Sequence, residues 1–423
     1  MPTVRKFGAV LAGAGLLAIL VLTLTPNPRP ASGAHLTPLL CLVCGESGGA
    51  DVVLNLLLFM PMAAGLALLG WPWGRIVGAC FLLSLAVETV QYFPITGRDA
   101  SLSDLLTNTA SGAMGAAIGK RLGQLSAPGR VLAGRLSLVS AVAWLGLLLF
   151  TAVSMRPWAP AGRIRNYCTA AYPTGEIFTG TVRATTLNGI GLTCDQPVPR
   201  GAGIRRDLRE GNFTLETVAE AADPARGRQM IQVIRTFATP LVLLSQHGGD
   251  AVFQAPTAAR AIRLFAPIVR LSRAFPAQPG DPVELTGEAA EHRLRLTAVH
   301  DGGRRSVELP LSPSYGWTLL FPVPIEPGVA LRLLAALWLG ALILPAAYWA
   351  GLAAQPKGNL GVLGGVVIAG LGLVPAVTGF APVHWTEWLG AGAGVALGWA
   401  LSRIAAYLQT RCGSPSTSAY SSS

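Results

Sequence analysis

Apolar residues in this chain are gathered into long runs rather than spread evenly. The runs fall at about 7 to 24, 52 to 70, 75 to 93, 103 to 119, 136 to 154, 329 to 350, 361 to 380 and 386 to 403, and roughly 20 such residues let an α-helix cross a hydrocarbon core. The fourth run is the least apolar of them. From residue 156 to residue 328 charges of both signs return, and short alternating stretches replace the long runs. Within that block Phe213–Val218, Gln229–Ile234, Leu241–Ser245, Ala251–Gln254, His292–Thr297 and Gly316–Phe321 read as strands separated by Gly, Pro and Asp. The pattern predicts an α-helical membrane bundle of about eight transmembrane helices with an all-β sandwich inserted. The expected units are a five-helix membrane block over 1–155, the sandwich over 156–328, a three-helix membrane block over 329–408 and a disordered Ser-rich tail over 409–423.

Composition agrees: 51% of the 423 residues are hydrophobic and only 13% charged. The net charge of +11 resolves into topology. Of thirteen Lys and Arg outside 156–328, ten (Arg5, Lys6, Arg75, Lys120, Arg121, Arg130, Arg135, Lys357, Arg403 and Arg411) share one side if the N-terminus is cytoplasmic and all eight runs cross. That bias places both termini in the cytoplasm and 156–328 outside. The bilayer is the expected partner; no nucleic-acid motif accompanies the charge. The first run is read as a retained helix ended by Pro26 and Pro28, because its apolar core exceeds that of a cleaved signal.

The cysteines fit an exported block. Cys168 is expected to pair with Cys194, and Cys41 and Cys44 lie in an outer loop before the second run. For the latter two a local disulfide is preferred over a redox pair or half a metal site. No second CxxC and no His cluster stands beside them, so neither a metal nor a cofactor is expected. Trp158, Phe253, Tyr315 and Trp317 are candidates to stack on sugar rings, but are read as core or interface residues.

Candidate chemistry lies in polar pairs at helical spacing inside the oily runs: Asp51 with Asn55, Glu88 with Gln91, and Asp104 with Asn108, with Arg98 on the loop between the third and fourth runs. Topology brings all of them to the outer leaflet. Two readings stand. Asp51 and Asp104 suit helix N-terminal positions, with Ser101–Asp104 matching a capping box, so the set could simply cap and join helices. Glu88 sits near the end of its own helix, where a carboxylate opposes the dipole. A pocket in which Arg98 holds an anionic group while Glu88 or Asp104 acts as base accounts for it.

These motifs, Asp51-Val-Val-Leu-Asn55 through Pro61, Glu88-Thr-Val-Gln91, Arg98, and Ser103-Asp104 through Asn108 to Gly112, resemble the VanZ-like family, named for a teicoplanin-resistance protein, over about residues 7 to 122. The resemblance implies a bacterial cytoplasmic-membrane protein of the cell envelope, in some members linked to glycopeptide tolerance, without settling a reaction. Residues 212–254 resemble a laminin G-like or concanavalin A-like jelly roll, a fold whose members often bind glycans. The preferred function is a non-enzymatic envelope factor that presents the sandwich to cell-wall glycan or a lipid-linked precursor. The alternative is a membrane-embedded enzyme acting on such a precursor, with Glu88, Arg98 and Asp104 catalytic and Asp51, Asn55, Gln91 and Asn108 binding.

Overall fold

The computed structural model describes residues 2–25, 43, 47–92, 101–169, 176–237 and 239–412. Six helices come first: α1 (Pro2–Leu24), α2 (Gly48–Leu58), α3 (Met60–Leu68), α4 (Trp73–Tyr92), α5 (Leu102–Ser126) and α6 (Arg130–Ser154). Breakers separate several of them, with Gly70 at φ +93° and Pro72 ahead of α4, and Pro128-Gly129 ahead of α6. Pro61 does more than kink the second run. Its missing N–H and its ring clash with the carbonyl four residues back interrupt the helix at Phe59. The freed Phe59 N–H donates to Ser111 Oγ on α5 at 3.1 Å.

Seven helical stretches are long and apolar enough to cross a membrane, namely Val4–Leu24, Gly48–Leu68, Trp73–Gln91, Arg130–Ser154, Val329–Leu352, Pro356–Thr378 and Trp385–Leu408. The remaining run, α5, is too polar for that criterion yet extends just as far. Its 25 residues span about 37 Å. It starts beside Glu88 at one end of the bundle and finishes where the Trp349 indole donates to Leu125 O at 2.8 Å. Protein covers its polar and small-residue face, while Leu106, Met114 and Ile118 are exposed on the other. Gly115 and Gly119 face α3 so closely that a Cβ on Gly115 would stand 2.5 Å from Met60 O. Small residues permit this contact.

The inserted block is a two-layer β-sandwich. Its elements are β1 (Arg165–Cys168), β2 (Glu176–Ile177), β3 (Val182–Leu187), β4 (Ile190–Gly191), β5 (Gln196–Pro197), α7 (Gly201–Glu210), β6 (Phe213–Glu220), β7 (Arg228–Arg235), β8 (Pro240–His247), β9 (Asp250–Gln254), β10 (Ile268–Leu271), β11 (Pro282–Ala290), β12 (Arg293–His300), β13 (Gly303–Pro310) and β14 (Pro324–Ile325). One sheet runs β14-β10-β9-β8-β7-β1-β5 with β2 beside β7, and the other β13-β12-β11-β6-β3-β4. Inward residues such as Phe213 and Phe253, with ring centroids 6.3 Å apart, join the layers. A buried amide network does the same, as Gln232 Oε1 accepts from Thr185 and Thr217 across the layers at 2.9 and 3.2 Å. The outer face of the second sheet is solvated and carries cross-strand pairs. There the Arg295 and Arg293 guanidinium groups hold the Glu308 carboxyl below its usual range.

One expected strand is not a strand. Pro313–Leu319 forms a 3-10 turn, so Gly316 and Trp317 lie in a helical segment. Ser312 Oγ caps it by accepting from Ser314 N–H, Pro313 fits its first turn, and it packs on α6 and α8 (Val329–Leu352), where no sheet edge is on offer. Phe253 and Tyr315 are buried, Trp158 and Trp317 half-buried, so these four form no open sugar platform. The short amphipathic α7 escapes the sequence pattern because only Ile204 and Leu208 mark its buried face.

The chain then returns through α8, α9 (Pro356–Ile368), a π-turn at Ala369–Leu373, α10 (Val374–Thr378) and α11 (Trp385–Cys412). Helix α11 continues four residues beyond the expected membrane end at 408. One end of the sandwich is built into the helices. Pro157, just past α6, bridges to Thr257; Ala258 N–H donates to Arg156 O; and Gly49 and Ala50 N–H at the start of α2 both donate to Arg263 O. A single apolar core runs through Ala50, Met155, Phe253, Leu331 and Phe380. At the β11–β12 turn the His292 ring stacks on Phe380 at 4.3 Å, above Gly379 in the left-handed region at φ +81°.

Two outcomes follow from this packing. Gly115→Leu forces side-chain volume against the α3 backbone and is expected to destabilise the bundle by about 1 to 3 kcal/mol, seen as a lower thermal midpoint in detergent; an unchanged midpoint would contradict the close contact. Burial, and then the Arg156 charge, push His292 below its usual range, so the folded state favours the neutral ring. The unfolded chain takes up the proton first as pH falls, so this contribution is fully present above about pH 6.5 and declines below it. Protection factors around Phe380, with exchange normalised to the intrinsic rate at each pH, should fall between pH 7.5 and 5 in the native protein, and less so in His292→Phe.

Candidate functional site

The polar pairs are used between helices rather than along them. Asn55, Glu88, Gln91, Asp104 and Asn108 bond to groups outside their own helix, whereas Asp51 bonds to Ser47 at the start of its own. Asn55 Nδ2 on α2 donates to Asp104 Oδ1 on α5 at 2.7 Å, Asn108 Nδ2 donates to Ser84 Oγ on α4 at 3.1 Å, and Gln91 Nε2 on α4 donates to Thr23 O on α1 at 2.8 Å. Asp51 lies in the first turn of α2, exposed, with Ser47 Oγ donating to it at 3.2 Å. Four helices are thereby tied together near one end of the bundle.

Glu88 has a specific task. Its Oε2 accepts the Ser101 backbone N–H at 2.8 Å, and Ser101 is the N-cap of α5. In a capping box that N–H would be met by the acid three residues on, Asp104. Here the acid comes from α4 instead, which leaves Asp104 to accept from Asn55. The carboxylate that opposes the dipole of its own helix thus sits at the positive end of the next one. Glu88 is 8% exposed, and Asp104 lies within its electrostatic reach. Arg98, like Cys41 and Cys44, lies outside the described residues.

Two serines extend the polar line inward. Ser84, Glu88 and Gln91 form a stripe on α4, and Asp104, Asn108 and Ser111 one on α5, each at i, i+4 and i+7. Ser84 and Ser111 are fully buried. Sequence reasoning passed over them because serine in a membrane helix satisfies itself on its own backbone as readily as on a neighbour. Asn108 Oδ1 in this array is buried and, among the described residues, accepts no hydrogen bond. Such an acceptor in a dry interior is costly unless a water or a ligand donor reaches it.

A second buried acid lies where sandwich and helices meet. Glu387 in the first turn of α11 is 1% exposed and accepts from Ser314 Oγ at 2.6 Å. The signal for it is simple, since Glu387 is the one acidic residue after position 328. His384, read as an interface residue, accepts the Thr386 N–H on its Nδ1 at 3.3 Å and so closes the start of α11. In the sandwich, a disulfide joins Cys168 to Cys194 across 5.2 Å between Cα atoms. Among the described residues no group of three or more His, Cys, Asp or Glu is placed to hold a metal ion.

Comparison with known proteins bears on the first block alone. Residues 14–123 match the family model described as VanZ/LLP1. The match takes in the second half of α1 and all of α2 to α4, stops within α5, and leaves out α6, the sandwich and α8 to α11. The N-terminal membrane block is VanZ-like, and it carries all of the polar pairs. No curated protein and no solved structure matches the chain.

The role of Glu88 as an acceptor separates two substitutions. Glu88→Ala leaves the part-buried Ser101 N–H without its Glu88 acceptor and is expected to cost about 1 to 3 kcal/mol, whereas Glu88→Gln keeps an amide oxygen for it and should cost less than half as much. Unfolding of the detergent-solubilised protein measures both. Equal losses would mean that the carboxylate charge, not the acceptor, matters there.

Proposed function

We propose that this protein is a non-enzymatic envelope factor, in which a polar-latched VanZ-like block anchors and orients the β-sandwich on the outer side of the bacterial cytoplasmic membrane. The observation that carries this reading is the shared construction of the two parts: Arg263 O of the sandwich accepts the first N–H groups of α2, so the helix bearing Asp51 and Asn55 begins on the sandwich itself. A freely tethered domain would need no such seam. The excess of Lys and Arg at the opposite ends of the helices supports an outward sandwich. Its ligand class on this reading is cell-wall glycan or a lipid-linked precursor, in line with the likeness to laminin G-like folds, and a contribution to glycopeptide tolerance follows if the precursor is shielded.

A second reading rests on Asn108 Oδ1. An unfilled acceptor beside Glu88 and Asp104 suits a ligand donor, and with Arg98 on the adjoining loop the site could hold a phosphate while one carboxylate takes a proton. This is the membrane-enzyme alternative, acting on a lipid-linked precursor.

Binding of purified cell-wall fragments and of lipid-linked precursor to the full chain in nanodiscs, beside a chain lacking residues 156–328, tests the first reading. Loss of binding with the deletion is expected. Unchanged binding removes the sandwich from recognition. In that outcome, turnover of precursor abolished by Glu88→Gln with protein levels maintained would favour the enzyme.

A further inference from the structure

Phe237, in the turn between β7 and β8, is 98% exposed, more than any other large hydrophobic residue described. Its position follows from strand register. Leu243 of β8 pairs with Gln254 of β9, so three residues further on Pro240 lies level with Thr257, the residue bridged to Pro157 at the end of α6. The β7–β8 turn therefore projects from the end of the sandwich that faces the bundle, within one or two strand spacings, about 5 to 10 Å, of Thr257. Other exposed apolar residues share that end: Ile262 follows Thr257, and Phe321 and Val323 precede Pro324, which pairs with Ile268. A large ring so exposed at the end of the sandwich that faces the bundle is placed to meet lipid.

Beside Phe237 runs a cationic groove. Arg163, Arg165, Tyr167 and Phe237 line it, and among the described residues no carboxylate does. Register again sets the geometry, since Arg165 of β1 pairs with Arg235 of β7, next to the turn. Two guanidinium groups hold the walls. Arg235 donates to Thr236 O and Phe237 O, each at 3.2 Å, and Arg205 donates to Gly162 O. Arg163 and Arg165 are exposed and have no ion-pair partner among the described residues. Planar guanidinium pairs favour phosphate oxygens, and a ring at headgroup depth adds apolar anchoring.

We propose that Arg163, Arg165 and Phe237 form a docking site for the phosphodiester headgroup of an anionic phospholipid in the leaflet on the sandwich side, with the Phe237 ring inserted among the upper acyl carbons. The site is separate from the Glu88 array and stands whether or not the sandwich binds a glycan. It gives the end of the sheet furthest from β14 its own attachment to the membrane, where the helices do not support it.

The test uses the full chain in nanodiscs of phosphatidylcholine and phosphatidylglycerol, with a trifluoromethyl group on the residue-237 ring. Fluorine relaxation should respond to dissolved oxygen and be shielded from a water-soluble gadolinium chelate. In parallel, the ratio of phosphatidylglycerol to phosphatidylcholine retained after mild detergent extraction should fall roughly ten- to thirtyfold in Arg163→Gln/Arg165→Gln, while millimolar inorganic phosphate leaves it unchanged in the native protein. Both arginines are exposed, and an unchanged thermal midpoint confirms that the variant is folded. Full gadolinium access at residue 237, unaltered lipid retention in the folded variant, or displacement of lipid by phosphate would each overturn the proposal.

Discussion

Helix ends near a bilayer must close their own backbone hydrogen bonds, because the hydrocarbon offers no substitute for water. Much of this molecule is arranged around that requirement. The start of α2 is closed by the Arg263 carbonyl, the start of α5 by Glu88, the break at Phe59 by Ser111 and the start of α11 by His384. In three of these four the closing group comes from another element. Satisfying a helix terminus and fixing the arrangement of helices are thus the same interaction.

This construction explains how a helix as polar as α5 is kept in the bundle. Its acid and amide side chains face α2 and α4, Gly115 and Gly119 face α3, Gly112 faces α4, and its far end receives the Trp349 indole. Little of its polar surface is left to lipid. The seam between sandwich and helices follows the same logic, as the turn Pro313–Leu319 enters between α6 and α8 and Ser314 meets the buried Glu387. A carboxyl so deeply buried is tolerated because it has a hydrogen-bonded partner. Sandwich and bundle share at that seam the apolar core that contains Ala50 and Phe380.

Legibility in the sequence follows the range of the interaction. Runs of apolar residues and period-two alternation are local, so the helical runs and the central strands β6 to β9 and β12 are readable. The turn at Gly316 is misread because its Trp-Thr-Leu-Leu-Phe continuation is as apolar as a strand, and only the cleft between α6 and α8 decides its winding. The polar site was legible as a set of residues on shared helix faces. Its wiring was not, because spacing pairs Asp104 with Asn108 as well as with anything across the bundle, and the choice of Asn55 depends on the contact between α2 and α5.

The sequence by itself determined the membrane character, the inserted sandwich, the VanZ-like motifs and the gathering of acids at one end of the helices, all of which rest on composition, periodicity and order along the chain. Only the tertiary structure decided what Glu88 bonds to. A carboxylate at the wrong end of its own dipole reads as unexplained until the start of α5 is placed against it, and then the same charge lies at a favourable pole. Dipoles of neighbouring helices add in space and not in sequence, so no pattern within α4 could have revealed it.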